Sequence, residues 1–345
     1  MEYRKLGRTG LDVSAIGLGT EHIEKSREMK DAILRAAVEA GVNYVDLLYV
    51  ESEYWEEFGP ILRPYRDRLV LAAHWGSGPC YALDFCQRTF ANILHHVGND
   101  YVEVAMMTMV DEEDRWNGWV PESMEYLHRY QEQGHIGCIG GSAHNTAMAI
   151  KAVESGMFDV LMFPVNMLGH SDEQNSALYQ ACVEHGVGLV AMKPYHGGAL
   201  FFAEGKPSGI TPAQCLSYVL SLPVSTMVPG PKSLAEYQAT LHYLEATDAE
   251  RDYRPVVANL HDCLAGQCVY CQHCLPCPQG IEVGWVLWYV DQARGGVSDD
   301  LRSGYAGFPV KASACVECGE CVERCPFDVD ILARLRQAVE IFEAG

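Results

Sequence analysis

Little in this chain would send it to a membrane or a nucleic acid. No apolar run approaches the roughly 20 residues that cross a bilayer. The amino terminus, MEYRKLGRTG, carries charge with no apolar segment behind it, so the expectation is no secretory signal and a soluble, cytoplasmic protein. Basic residues are scarce, with 25 Lys and Arg against 46 Asp and Glu, a net charge of −21. Such a surface repels phosphate backbones and anionic lipid, which excludes nucleic acid and membrane as expected partners. It keeps a protein in solution, or docks a basic electron-transfer partner. There is no low-complexity segment, no repeat beyond an alternation of strands and helices, and nothing that fixes an oligomeric state.

What is there is length and core. At 345 residues, 48% of them hydrophobic, the chain accommodates a barrel of about 250 residues plus an appendage. Short apolar runs recur: VSAIGLG (13–19), YVDLL (44–48), LVLAA (69–73), VEVAMMT (102–108), IGCIGG (136–141), DVLMFPV (159–165), VGLVAM (187–192) and STMVPG (225–230). Each is apolar on both faces, as a buried parallel strand is. Between them lie amphipathic stretches such as MKDAILRAAVEAG (29–41), closed by a glycine suited to a helix C-cap, and PESMEYLHRYQEQG (121–134), which opens on proline. Eight strand–helix units predict an α/β (β/α)8 TIM barrel over residues 1–257, its floor closed by an N-terminal hairpin from YRKLGRTGLDVSAIGLG.

After about residue 258 the composition turns to Cys, Gly and Pro, which marks a second domain, 258–345. Nine of the 14 cysteines lie beyond residue 260. Without an export signal they argue against a disulfide framework. The run CVECGECVERCP has the C-x2-C-x2-C-x3-C-P spacing of bacterial ferredoxins, in which the cysteine before proline serves the other cluster. That predicts one [4Fe–4S] cluster on Cys268, Cys271, Cys274 and Cys325, and a second on Cys315, Cys318, Cys321 and Cys277. The first run is one residue shorter before its last cysteine, so Cys263 is an alternative ligand there. Paired C-x2-C units also make zinc ribbons, but eight cysteines in two such runs favour clusters. Cys80, Cys86, Cys138, Cys182 and Cys215 are scattered and read as small buried apolar residues.

These motifs together resemble the aldo-keto reductases, specifically the branch with a C-terminal two-cluster ferredoxin domain. The resemblance is carried by YRKLGRTGLDVSAIGLGT (3–20), NYVD (43–46), GHIGCIGGSAHN (134–145), GLVAMKPYHGGAL (188–200) and KASACVECGECVERCP (311–326). It implies carbonyl reduction with NADPH through a tetrad of Asp, Tyr, Lys and His. Asp46 is present, but the tyrosine falls on Glu51, the lysine on His74 and the histidine on Thr108. Ser142 and Asn166 match the residues that hold the nicotinamide amide, and Lys193 and Lys232 are further cofactor candidates. PGPKSLAEYQAT lacks the arginine and the Glu-Asn pair that grip the adenosine end, which argues against NAD(P)H.

The carboxyl ends of barrel strands are the working face of this fold. Here they carry Glu21, His22, Asp46, Glu51, His74, His144, Lys193, Tyr195 and His196. The family geometry sets His74 beside Asp46, and a carboxylate there would fix one imidazole tautomer and make His74 the proton donor. Glu51 is either a second acid–base group or a solvated loop carboxylate. Tyr49, Tyr54 and Trp55 either line a pocket or pack the second helix. A mononuclear metal on His22, His74 and a carboxylate fits by ligand type, yet no H-x-x-x-H or similar spacing supports it.

The resulting expectation is an iron–sulfur oxidoreductase. Two clusters, fed by a ferredoxin- or flavodoxin-type partner, would deliver electrons to a small substrate or a bound flavin, while Asp46, Glu51, His74 and His144 manage protons. The alternatives are an NAD(P)H-dependent reductase with a non-standard proton donor, a non-redox lyase or isomerase with structural clusters, and an electron carrier with a retired barrel.

Overall fold

The computed structural model describes residues 1–23, 26–48, 52–76, 81–170, 172–203 and 206–343. Two compact units make up the chain: Met1–Tyr195 with Pro212–Tyr253, and His196–Thr211 with Arg254–Gly345. The segment His196–Thr211, read from sequence as part of the barrel, therefore groups with the cysteine-rich unit, as does the short stretch 254–257.

The first unit is a parallel eight-stranded barrel. Its strands, in order around the wall, are Leu18–Gly19, Tyr44–Leu47, Val70–Trp75, Val102–Met107, Ile136–Ser142, Val160–Pro164, Gly188–Met192 and Thr226–Val228. Sequence order equals spatial order, the result of repeated strand–helix–strand crossovers. The wall closes where Gly17 N donates to Met227 O (2.7 Å) and Met227 N to Ala15 O (3.1 Å). Glycine is needed at 17 because a Cβ there would stand 2.9 Å from Tyr44 O and 3.1 Å from Met227 O.

Strand residues two apart face the same side, and the inward series fill the barrel. Tyr44, Val70, Ala72, Val104, Met106, Cys138, Val160, Met162, Val190 and Val228 form one buried cluster. Leu6 and Val13 join it from the N-terminal hairpin, Tyr3–Lys5 with Asp12–Ser14, which plugs the floor as expected. Gly7, at φ +52°, lies so close to Gly188 that a Cβ would stand 2.3 Å from its nitrogen.

The helices obey their end signals. Arg27–Glu39 is capped by Ser26, whose side chain accepts from Met29 N, and is followed by Gly41 at φ +84°. The helix expected from Pro121 begins two residues earlier, at Trp119, leaving the proline in the first turn, where its missing N–H costs nothing. Tyr54, Trp55 and Phe58 are buried on Ser52–Leu62 and touch one another, so the aromatics of this stretch pack the helix. Cys86, Cys138, Cys182 and Cys215 are buried in the core, while Cys80 lies outside the described residues. Among the described residues no helix is long and apolar enough to cross a membrane.

In the second unit, helices Val283–Gln292 and Ile331–Phe342 pack together. Tyr289, Tyr305, Phe308 and Phe342 form an aromatic cluster there, the last two-ring stack (Tyr305–Phe342) at 4.4 Å between centroids.

Candidate active site at the barrel mouth and the cysteine recess

The inward-facing series of the second, third and fourth strands end in polar residues. Tyr44 is followed two positions on by Asp46, Val70 and Ala72 by His74, and Val104 and Met106 by Thr108. All three polar side chains are buried, at 6%, 3% and 5% exposure. They form one chain: His74 Nε2 lies 3.0 Å from Asp46 Oδ1, and His74 Nδ1 lies 3.0 Å from Thr108 Oγ1.

Hydrogen-bond accounting fixes its protons. The Thr108 hydroxyl donates to Gly76 O at 2.7 Å, so toward His74 it can only accept, and Nδ1 carries a hydrogen. The contact between Nε2 and Asp46 Oδ1 then requires one more proton between them, as imidazolium with carboxylate or imidazole with carboxylic acid. The chain thus holds a proton in either form. Both nitrogens of His74 are spent, and Asp46 Oδ2 is the carboxyl oxygen outside the chain. His74, the proton donor expected from the sequence, is thus engaged on both sides by Asp46 and Thr108.

The belt continues onto the fifth strand. Met109 N, next to Thr108, donates to Ser142 Oγ (2.9 Å). Asp111 then accepts from the backbone N–H groups of His144 and Asn145 and lies 3.1 Å from His144 Nδ1. Burial alone would raise the Asp111 carboxyl, but the His144 ring and the two N–H groups outweigh it and hold it below the usual carboxylate range. Asp111 was missed from the sequence; nothing in MVDEED separates it from its acidic neighbours.

The remaining candidates are placed as follows. Asn166 is buried, its Oδ1 accepting from Leu168 N (3.1 Å) and its Nδ2 donating to Lys193 O (3.2 Å). Lys193 has a left-handed backbone, φ +55°, and an exposed side chain. Crowding lowers its ammonium pKa, an effect opposed by the charges of Glu21 and Asp111. Because the side chain keeps its access to water, this shift carries no stability argument. Lys232 is exposed, and its backbone N–H is taken by Glu236 Oε2 (2.7 Å) at the start of helix Leu234–Leu241. Tyr195 hydrogen-bonds Thr240 at 2.9 Å, and burial raises its phenol far above the usual range. His22 stands in solvent 3.7 Å from Glu21, and His196 belongs to the second unit. Glu51 and Tyr49 lie outside the described residues. Among the described residues no three His, Cys, Asp or Glu side chains are gathered as a single metal ion requires.

In the second unit Cys268, Cys271, Cys274 and Cys325 line one recess. Tyr270 N–H points to the Cys268 sulfur and His273 N–H to that of Cys271; Glu317 N donates to Cys315 Sγ at 3.4 Å. Left-handed residues turn these amides inward, Tyr270 and Gln272 in the first run and Glu317 in the second. Burial pushes the Cys268 thiol up to about 12 and that of Cys274 to about 11. Cys315 and Cys318 lie within electrostatic reach of Cys321. Arg324 ties the two runs by donating to Pro276 O (2.7 Å) and Cys274 O (3.3 Å).

A closed parallel barrel with polar side chains collected at its strand ends is the frame of an α/β-barrel enzyme. The model of the aldo/keto reductase family matches residues 15–214. The chain belongs to that family. It is 23% identical over 215 residues to the uncharacterized oxidoreductase YqkF of Bacillus subtilis, covering 58% of this chain and 67% of that protein. It is 26% identical over 226 residues to the L-glyceraldehyde 3-phosphate reductase of Escherichia coli K12, covering 58% of this chain and 63% of that one. In fold it is similar to an aldo-keto reductase of Bacillus halodurans solved in its holo form, with a TM-score of 0.60 and 20% identity over 74% of this chain and 96% of the other.

Proposed function

We propose that the barrel unit is an oxidoreductase that reduces a small carbonyl-bearing molecule with a nicotinamide cofactor, aspartate–histidine chemistry replacing the family's tyrosine. One observation carries this reading: the Asp46–His74–Thr108 chain at the ends of three adjacent strands, which holds a proton at the barrel mouth. Curated relatives that are oxidoreductases agree with it. The cofactor, when bound, supplies a hydride to the carbonyl carbon. The chain's own residues do the rest. The proton that Asp46 and His74 share goes to the carbonyl oxygen, which leaves an Asp46 carboxylate beside a neutral His74 whose Nδ1–H stays on Thr108. Ser142 and Asn166 are the residues to hold the cofactor's amide, and Lys193 and Lys232 those to meet its negative charge. Glu236, seated on the Lys232 amide, opposes a phosphate at that end, so both nicotinamides belong in the test.

A second reading concerns the source of electrons. It is favoured by the recess of Cys268, Cys271, Cys274 and Cys325, whose inward amide–sulfur contacts suit thiolate ligands of a [4Fe–4S] cluster. Each iron of a cubane takes its own thiolate, so four ligands stand around a recess instead of meeting at a point. Cys315, Cys318 and Cys321, with Cys277, are the residues for a second cluster. Such clusters, when bound, supply electrons singly.

The deciding experiment is an anaerobic titration of the purified protein with NADH and NADPH, followed by nicotinamide fluorescence and visible absorbance. Saturable binding supports the first reading. No binding of either, in protein whose visible chromophore bleaches with dithionite, overturns it in favour of cluster-fed reduction.

A further inference from the structure

The barrel mouth holds two aspartate–histidine pairs, and they differ in one respect that matters for proton transfer. In the pair Asp46–His74 the imidazole is 3% exposed and both its nitrogens are occupied. In the pair Asp111–His144 the imidazole side chain is 36% exposed, and Asp111 engages only Nδ1. One pair is sealed and the other is open.

Both pairs draw a partner from a single strand exit, residues 108–111. Thr108 closes the sealed pair, Met109 N bonds Ser142 Oγ, and Asp111 holds His144, two residues beyond Ser142. Asp111 is committed to His144 three times over, through the ring and through the N–H groups of His144 and Asn145. A carboxylate 14% exposed and so bonded is a fixed acceptor that selects the Nδ1–H tautomer and leaves Nε2 outside the pair, on a ring 36% exposed.

We infer that Asp111 is a positioning residue which fixes His144 as the proton-exchange group of the mouth, so that the open pair replaces the proton spent by the sealed one. This rests on the reductive reading above. The balance is simple. The carbonyl carbon gains a hydride from the nicotinamide, its oxygen gains one proton from the Asp46–His74 pair, and the product is an alcohol. The sealed pair, buried from water, regains its proton from His144, and His144 regains one from solvent at Nε2. Asp111 remains hydrogen-bonded to Nδ1 throughout. The charged and titratable groups facing the open pair are Lys193, with Glu21 beside it, and Tyr81, with Arg115 over its ring.

The test uses the full chain, with Asp111→Asn, Asp111→Glu and His144→Gln beside the wild type. Imidazole nitrogen NMR reads the tautomer of His144, and steady-state reduction of glyceraldehyde with NADH or NADPH reads its role. The expected result is an Nδ1–H tautomer in the wild type and a mixed population in Asp111→Asn. With it should come a fall in kcat of about tenfold or more at little change in KM, a lowered kcat in His144→Gln, and partial recovery in Asp111→Glu. A wild-type His144 without the Nδ1–H preference overturns the positioning role, as does an Asp111→Asn variant with unchanged kcat. A wild type that neither binds a nicotinamide nor reduces the aldehyde sinks the parent reading. In that case the proton-exchange role falls with it, and the NMR result still decides whether Asp111 sets the tautomer.

Discussion

The shared proton between His74 and Asp46 has an energetic signature that needs no substrate. His74→Ala leaves Asp46, 6% exposed, without its imidazole and Thr108 without its donor. Removing one member of a buried pair costs about 3–5 kcal/mol, because the survivor's charge is uncompensated. Asp46→Ala is gentler: the imidazole can shed the shared proton and remain neutral, so the cost is that of an unmet polar atom, about 1–3 kcal/mol. The double variant carries neither orphan. It should therefore be less destabilised than the two single losses added together, with a coupling of about 2 kcal/mol, within the range for contacting residues. Hydrogen exchange of the third-strand amides, Val70–Trp75, reports this locally, and about 1.4 kcal/mol corresponds to a tenfold change in opening. Additivity of the single losses to within about 0.5 kcal/mol would refute the shared proton, since independent side chains behave that way.

Asp111 predicts a pH dependence. Its folded carboxyl pKa lies below the unfolded value of 3.8, so the stability it contributes is present above that value and is lost as pH falls through the lowered one. Thermal melts between about pH 2 and pH 6 should show a shallower acid limb for Asp111→Asn than for wild type; parallel limbs would count against the pairing. Tyr44 is fully buried, and its hydroxyl has no hydrogen-bond partner among the described residues. Tyr44→Phe should accordingly leave stability unchanged or raise it by about 1 kcal/mol, read by denaturant unfolding; a loss of that size would mean the hydroxyl is paired. If the cysteine runs bind crossed clusters, Cys325→Ser should remove about one cluster's worth of iron, with Cys86→Ser as the buried control that leaves iron unchanged.

The sequence made much of this legible. Eight apolar runs marked eight strands because a parallel strand buried on both faces has to be apolar along its length. The alternation Val70, Ala72, His74 already placed the histidine on the inward series, one layer above the filler. The family pattern put Asp46 beside it, and they meet. The C-terminal cysteine spacing drew Cys325 toward Cys268, Cys271 and Cys274, and those four share a recess.

Other features needed the folded chain. Thr108, noted in sequence only as a replaced histidine, turns out to fix a tautomer, because its hydroxyl is bound to Gly76 O. Asp111 acquires its role from His144, 33 residues away and on the next strand exit. The association of His196–Thr211 with the cysteine-rich unit has no local signal either. The difference is physical. Periodicity and motif spacing are properties of neighbouring residues, so the sequence by itself determined the strands and the inward faces. Which nitrogen of an imidazole is occupied, and which ring meets water, depends on hydrogen bonds between strands distant in sequence, and only the closed barrel decided that one pair is sealed and the other open.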